Sequence, residues 1–400
     1  MYYLDNSATT KPCDAAVRAM TDALELWGNP SSVHHLGCAA ADALSTARRT
    51  VARTLGVPRF SQDRIIFTSC GTESNNIALL GSVSAKRRCR NCDGVYGTVI
   101  ISDGEHPSID NPAKRLGEND FNVVRIPTVG GVLDMNALDN ALEEAKAAAA
   151  PVIFAGFMLV NNETGAIYDV RSASALVKRS FPNALVHCDA VQGYLKLRFT
   201  PASLGADTIS VSAHKIHAPR GAAALYVSGD MIKRRNITSV MPGGGQEGGF
   251  RSGTENLIAI AAFAAAAEYG FTNGESNRDT VAELRSYLNE RLAELSELGV
   301  EQNVPTEGGT QLDNIASVVV SGVRSETMLN YLSAREVYVS AGSACSAHSA
   351  KKSEALTAFG VSDDRIDSTI RVSLSYTNTR EDIDALCEGI RSGMHELQKR

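Results

Sequence analysis

Thr208-Ile209-Ser210-Val211-Ser212-Ala213-His214-Lys215 runs a β-branched strand straight into a Ser-Ala-His-Lys turn. A lysine at the mouth of a buried strand loses part of its hydration, which lowers its pKa and frees the amine to form a Schiff base with an aldehyde such as pyridoxal phosphate. The ordinary alternative is a solvated surface lysine, because long cationic side chains seldom leave water unpaired. The rest of the chain decides between the two.

Upstream, Ala184-Leu185-Val186-His187-Cys188 reads as a buried strand ending in Asp189, followed by Ala190-Val191-Gln192. A carboxylate at a strand's carboxyl end can hold a pyridine nitrogen protonated, and Gln192 is spaced to reach the ring hydroxyl of the same cofactor. Asp189 as a plain turn cap is the competing reading. Ile65-Ile66-Phe67-Thr68 leads into Ser69-Cys70-Gly71-Thr72-Glu73-Ser74-Asn75-Asn76, a strand, a small-residue turn and a helix start. Free amides at Gly71 and Thr72, the Thr72 hydroxyl and the helix dipole favour a phosphate there. A simple N-cap would leave the same trace. Ser212 and His214 add donors beside the lysine.

Strands at Ile65 to Thr68, Thr98 to Ser102, Val152 to Leu159 and Ala184 to Cys188 alternate with helical segments, a pattern that implies a mostly parallel sheet. After an alanine-rich helix from Ile258 to Tyr269, Thr272-Asn273-Gly274-Glu275-Ser276-Asn277 reads as a linker. The composition beyond it is α+β, with a helix near Thr280 to Leu295, strands at Ile315 to Ser321 and Thr369 to Leu374, and a terminal helix from Arg380 to about Gln398. The expected division is a large cofactor-binding domain over 13–272 and a small domain over 273–400, with segment 1–12 packed on the latter.

With these features in place, the chain resembles the cysteine desulfurases of the NifS/IscS type, members of the class V aminotransferase family with the type I pyridoxal phosphate fold. The resemblance runs nearly end to end, from Tyr3-Leu4-Asp5-Asn6-Ser7-Ala8-Thr9-Thr10 and Gly28-Asn29-Pro30-Ser31-Ser32 through Gly71-Thr72-Glu73-Ser74-Asn75-Asn76 and Glu105-His106. It continues at Val160-Asn161-Asn162-Glu163-Thr164-Gly165, Asp189 to Gln192, His214-Lys215, Arg251-Ser252-Gly253-Thr254, Gly342-Ser343-Ala344-Cys345 and Ile370-Arg371-Val372-Ser373. The resemblance implies that Lys215 carries the cofactor, Asp189 pairs with its pyridinium nitrogen, Gln192 meets its phenolic oxygen and His106 stacks on its ring. Gly71, Thr72, Ser212 and His214 would hold the phosphate, and Thr254 would reach the phosphate of a neighbouring subunit in a homodimer. Asn162 and Arg371 would take the substrate carboxylate, Arg371 through the two-pronged geometry of its guanidinium.

Cys345 selects the reaction. It stands in Ser340-Ala341-Gly342-Ser343-Ala344-Cys345-Ser346-Ala347-His348-Ser349-Ala350, a run of small residues with few large apolar groups to fix it to a core. Such a run is expected to be mobile, and its thiolate could take the sulfur of a cysteine substrate, leaving alanine and an enzyme persulfide. For most of the eight cysteines the expected role is that of a small buried hydrophobe. The loop through Lys351-Lys352-Ser353 resembles the family form in which the cysteine travels to an acceptor, such as an iron–sulfur scaffold or a thiolation protein. Ala350-Lys351-Lys352-Ser353-Glu354-Ala355 departs from the family's usual apolar, proline-containing continuation, which leaves the acceptor open. A second departure, Lys86-Arg87-Arg88-Cys89-Arg90-Asn91-Cys92-Asp93-Gly94, reads as an insertion with one C-x-x-C pair. That pair supplies two of the four ligands of a structural zinc, so a surface loop is expected and no metal site.

Composition agrees with a globular enzyme. The hydrophobic fraction of 44% and charged fraction of 21% are ordinary for a chain with a core, and a net charge of −6 gives no electrostatic reason to bind nucleic acid. The amino terminus lacks a basic segment followed by an apolar core, and Ile258 to Ala267 is too short to span a bilayer, so a cytoplasmic enzyme off the membrane is expected. The cysteine spacings show no disulfide framework. Two alternatives stay open at this point: a selenocysteine lyase or other β-lyase on nearly the same cofactor site, and a non-catalytic scaffold that binds partners through the Cys89 to Cys92 loop.

Overall fold

The computed structural model describes residues 1–58, 64–87, 97–119, 121–341 and 352–397. The expectations for Cys345 and for the Cys89 to Cys92 insertion lie outside the described residues.

Seven strands form the main sheet: β1 (Ile65–Thr68), β2 (Gly97–Ser102), β3 (Phe121–Ile126), β4 (Val152–Met158), β5 (Leu185–Asp189), β6 (Thr208–Ser212) and β7 (Ala223–Val227), in the order β1-β7-β6-β5-β4-β2-β3. Strands β3, β2, β4, β5 and β6 pair in parallel; β7 runs antiparallel to β6 and β1. β1 therefore points the same way as the parallel strands. Every residue of β2, β4, β5 and β6 is buried, as expected for a sheet covered on both faces. Alternation sorts the side chains: Ile65, Phe67, Ile100, Ala155 and Phe157 join one apolar cluster, while Ile66, Val99, Ile101 and Phe154 join the one on the opposite face, and a bulge at Ile153, where the β2–β4 register shifts, puts that residue on Phe154's side too.

The helix α1 (Gly71–Arg87) follows β1, and α2 (Pro107–Gly117) follows β2. The alanine-rich helix α3 (Leu257–Thr272) has eight buried residues and packs against helices Asp14–Ala23 and His35–Thr54. The expected linker at Thr272 to Asn277 is absent. Helix α4 (Gly274–Ala293) starts one residue after α3, with the Asn273 amide donating to Tyr269 O and the Asn277 amide to Asn273 O, so the polar run forms an exposed first turn. Polar composition marks exposure, which a helix terminus supplies as well as a loop does.

A second sheet joins Val300–Asn303, Ile315–Val320, β8 (Thr369–Ser373) and Ser340–Ala341 by antiparallel pairing. Its apolar cluster also takes residues from α4 and from α5 (Arg380–Leu397). Leu4 belongs to this cluster, and Tyr2–Tyr3 pairs with Val337–Tyr338. The amino-terminal segment then runs along the end of β8 and across to Lys215. Among the described residues no helix is long and apolar enough to cross a membrane.

Candidate active site

Because β1, β2, β4, β5 and β6 point the same way, their carboxyl ends share one edge of the sheet, where open α/β sheets bind ligands. That edge carries Gly71 and Thr72, His106, Asn162, Asp189, Gln192, Ser212, His214 and Lys215, every one singled out from the sequence.

Asp189 is the best-held group. Its Oδ1 accepts from the Val191 amide at 3.0 Å and its Oδ2 from Asn75 Nδ2 at 2.7 Å. The other Asn75 Nδ2 hydrogen goes to Ser108 Oγ at 2.8 Å, and Asn75 Oδ1 meets His187 Nε2 at 3.0 Å. Since Oδ1 can only accept, His187 carries its proton on Nε2, leaving Nδ1 to accept from Thr208 Oγ1 at 2.9 Å. Full burial pushes the His187 pKa down to about 4, so the ring is neutral and the chain from Thr208 to Asp189 has one direction. Sequence reasoning missed the roles of Asn75 and His187. A buried, strand-centred histidine beside an aspartate was the available signal.

His106 N-caps α2. Its Nδ1 accepts from the Ser108 amide at 3.1 Å and meets Ser108 Oγ at 2.8 Å, which places the proton of the neutral ring on Nε2. Burial lowers its pKa, with Asp189 opposing. Beneath it, Glu105 is fully buried: Oε1 accepts from Ser102 Oγ and from the Met158 amide, each at 2.5 Å. Burial pushes the Glu105 pKa up to about 8, so the carboxyl is protonated at neutral pH.

Lys215 Nζ donates to Ser7 O and, at 2.9 Å, to Ala8 O. Gln192 Nε2 donates to Ser7 O at 3.0 Å, and Gln192 Oε1 accepts from Lys196 Nζ at 3.1 Å. Burial lowers Lys196 to about 7, with Lys215 and Arg371 adding repulsion. His214 Nδ1 meets Thr9 Oγ1 at 3.2 Å, and burial with Lys215 close by holds its pKa at about 4. Segment 5–9 thus joins Lys215, Gln192, His214 and, through Asp5, Arg371. Arg371 is 3% exposed; its Nη2 pairs with Asp5 Oδ1 at 2.9 Å and its Nη1 donates to the backbone oxygen of Asn162 at 3.0 Å. The Arg371 Nε is buried without a hydrogen-bond partner among the described residues. Beside Asn162, burial pushes Glu163 up to about 7 while Ser353 Oγ donates to its Oε2 at 2.5 Å.

A Cβ on Gly71 would lie 3.1 Å from Val191 Cγ2 and 3.8 Å from Ser212 Cβ, so the first turn of α1 lies against these two residues. Ser212 Oγ is buried with no hydrogen-bond partner among the described residues. An orphaned hydroxyl facing the amides of a helix start fits a phosphate, and a fixed carboxylate on β5 fits a pyridinium, so these residues fit pyridoxal phosphate. Thr254 is exposed, and no described hydrogen bond ties it to this group; its segment is anchored through Arg251, whose Nε donates to Glu73 Oε1 at 2.9 Å.

The family model described as aminotransferase class-V matches residues 2–386. The chain belongs to that family. A protein named cysteine desulfurase from Trichormus azollae is 33% identical over 96% of this chain and 91% of its own length. A human protein named selenocysteine lyase is 32% identical over 99% of this chain and 92% of its own. Among solved structures, one of a NifS-like protein superimposes with a TM-score of 0.86 at 32% identity, over 98% of this chain and 99% of that one. The type I fold expected from the sequence is the fold of this class V chain.

Proposed function

We propose that this protein is a pyridoxal phosphate-dependent cysteine desulfurase, converting L-cysteine to L-alanine and moving the sulfur to Cys345 as a persulfide. The observation that carries the reading is the carboxyl-edge group: Lys215 at the end of β6, Asp189 locked by Asn75, and the orphaned Ser212 hydroxyl beside the start of α1. Full-length likeness to a cysteine desulfurase supports it.

When bound, pyridoxal phosphate supplies an electron sink for negative charge developing at the substrate Cα. Gly71, Thr72, Ser212 and His214 hold the phosphate. Asp189 keeps a proton on the pyridine nitrogen, and the Asn75–His187 chain prevents the carboxylate from turning away. His106 would cover the ring, and Lys215 would hold the cofactor and take the Cα proton. Arg371, with Asn162, orients the substrate by its carboxylate. The Cys345 thiolate would attack the substrate Sγ; the Cβ–Sγ bond breaks with its electron pair left on the carbon skeleton, a new S–S bond forms, and protons delivered to Cβ and returned to Cα complete alanine. The expected setting is a cytoplasmic homodimer of large (13–272) and small (273–400) domains that passes the persulfide to a protein acceptor.

Incubation with L-cysteine should yield alanine and a persulfide on Cys345 by mass spectrometry. Cys345→Ser should still bind L-cysteine, seen as a change in cofactor absorbance, yet lose persulfide and most alanine. Wild-type alanine output from Cys345→Ser, or persulfide on Cys89 or Cys92, would sink the assignment. The likeness to a selenocysteine lyase favours one second reading; a kcat/KM for selenocysteine far above that for cysteine would select it.

A further inference from the structure

The guanidinium assigned to the substrate already has an acid on it. Arg371 Nη2 lies 2.9 Å from Asp5 Oδ1, the arginine 3% and the aspartate 18% exposed, while Nε is left without a partner among the described residues. Asp5 is fixed there by its neighbours. Ser373 N donates to Leu4 O at 2.7 Å, Asn6 N donates to Ser373 O at 3.3 Å, and Ser7 N donates to Ser373 Oγ at 2.9 Å, so residues 4–7 lie along the strand that bears Arg371. The groups facing this pair are Tyr3, whose pKa is raised by burial and then by Asp5, and Glu163 and Lys196, which lie in the field of Arg371. A substrate carboxylate taking Arg371 would share one guanidinium with the Asp5 carboxylate.

We propose that Asp5 is a positioning residue that sets affinity: it offsets the charge of Arg371 so that the α-carboxylate, borne by both substrate and product, binds weakly enough to exchange. This rests on the reading that Arg371 takes that carboxylate. The physical case is that an uncompensated, desolvated arginine would hold alanine as tightly as cysteine, and such uniform binding lowers KM without raising kcat. Asp5 acts through Arg371 and touches no reacting atom.

The test is Asp5→Asn in the cofactor-loaded enzyme, with two readouts besides turnover: the Kd of L-alanine from the change in cofactor absorbance, and the rise in Tm that L-alanine produces. The expected result is a fall of about five- to tenfold in both the L-alanine Kd and the KM for L-cysteine, with kcat unchanged or lower. The L-alanine increment in Tm should grow accordingly. A purely structural role predicts the opposite sign, since a loosened Arg371 would raise both constants; a rise, or no change, overturns the proposal. If Asp5→Asn does not fold, Asp5→Glu retains the charge and should keep the alanine Kd within about twofold of wild type, a larger change overturning the idea. Wild-type enzyme that neither consumes cysteine nor responds to alanine would instead overturn the reading of Arg371, a separate result.

Discussion

Glu105 is a buried carboxyl whose charge the fold suppresses, and the consequence is measurable. Its pKa rises from an ordinary 4.5 to about 8, through burial first and then the nearby Asp189 and Asp110. Between those values the unfolded chain releases a proton that the folded chain keeps, so stability from this group is full below about pH 4.5 and is lost as pH climbs toward 8. Glu105→Gln, which cannot ionise, should flatten the fall in Tm across that window and gain on wild type at pH 8 to 9. A wild-type slope in the variant would show that Glu105 is already charged in the fold. The same residue shows where sequence reading stopped. Glu105-His106 was visible as part of a loop after a strand, but the Ser102 and Met158 contacts that keep the carboxyl buried come from β2 and β4, which only the fold brings together. Asn75 was legible as a letter in a helix-start motif. Its grip on Asp189 depends on α1 lying over β5, more than a hundred residues away in the chain.

The strand-turn-helix at Ile65 to Arg87 is the element whose chemistry the sequence declared most directly. Strand residues Ile65 to Thr68 end where the small residues Ser69 and Gly71 begin, and α1 starts at Gly71 as expected. Ser212, across the cradle, reads in the sequence as one more donor beside the lysine; that its hydroxyl is buried with no partner among the described residues only the fold shows, since a buried serine in a strand usually has a hydrogen bond. Its orphaned Oγ marks it as a donor to a ligand. Ser212→Ala should therefore leave the apo fold unharmed and weaken cofactor retention, by about tenfold or more for a lost hydrogen bond to an anion. Equilibrium dialysis against free pyridoxal phosphate checks this, and an unchanged Kd would place the phosphate elsewhere. Elements without chemistry were read less well. The polar run Thr272 to Asn277 reads as a linker in the sequence, since its residues carry no periodicity that separates a helix's first turn from a loop.

At the scale of the molecule, Thr254, which the sequence resemblance assigns to a neighbouring subunit's phosphate, is exposed in a single chain, while its segment is pinned to α1 by Arg251 and Glu73. We propose that Thr254 serves the site of a neighbouring chain, a use consistent with its exposure here. Closed two-fold pairing is the commonest way to supply one, each protomer lending the same residue to the other. Co-expression of Lys215→Ala chains with Thr254→Val chains tests this. If Thr254 acts across the interface, the mixed dimer has one site with both defects and one site with neither, because intact Lys215 on the second chain meets intact Thr254 from the first. That dimer should bind one cofactor covalently with wild-type affinity and show about half the wild-type activity, although neither parent homodimer does. If Thr254 served its own chain, the only covalent site in the mixture would carry Thr254→Val, and the cofactor would dissociate as readily as from that parent. Borohydride reduction followed by intact-mass measurement of each chain separates the two outcomes, and a monomer with full cofactor occupancy at working concentration would end the argument before the mixing began.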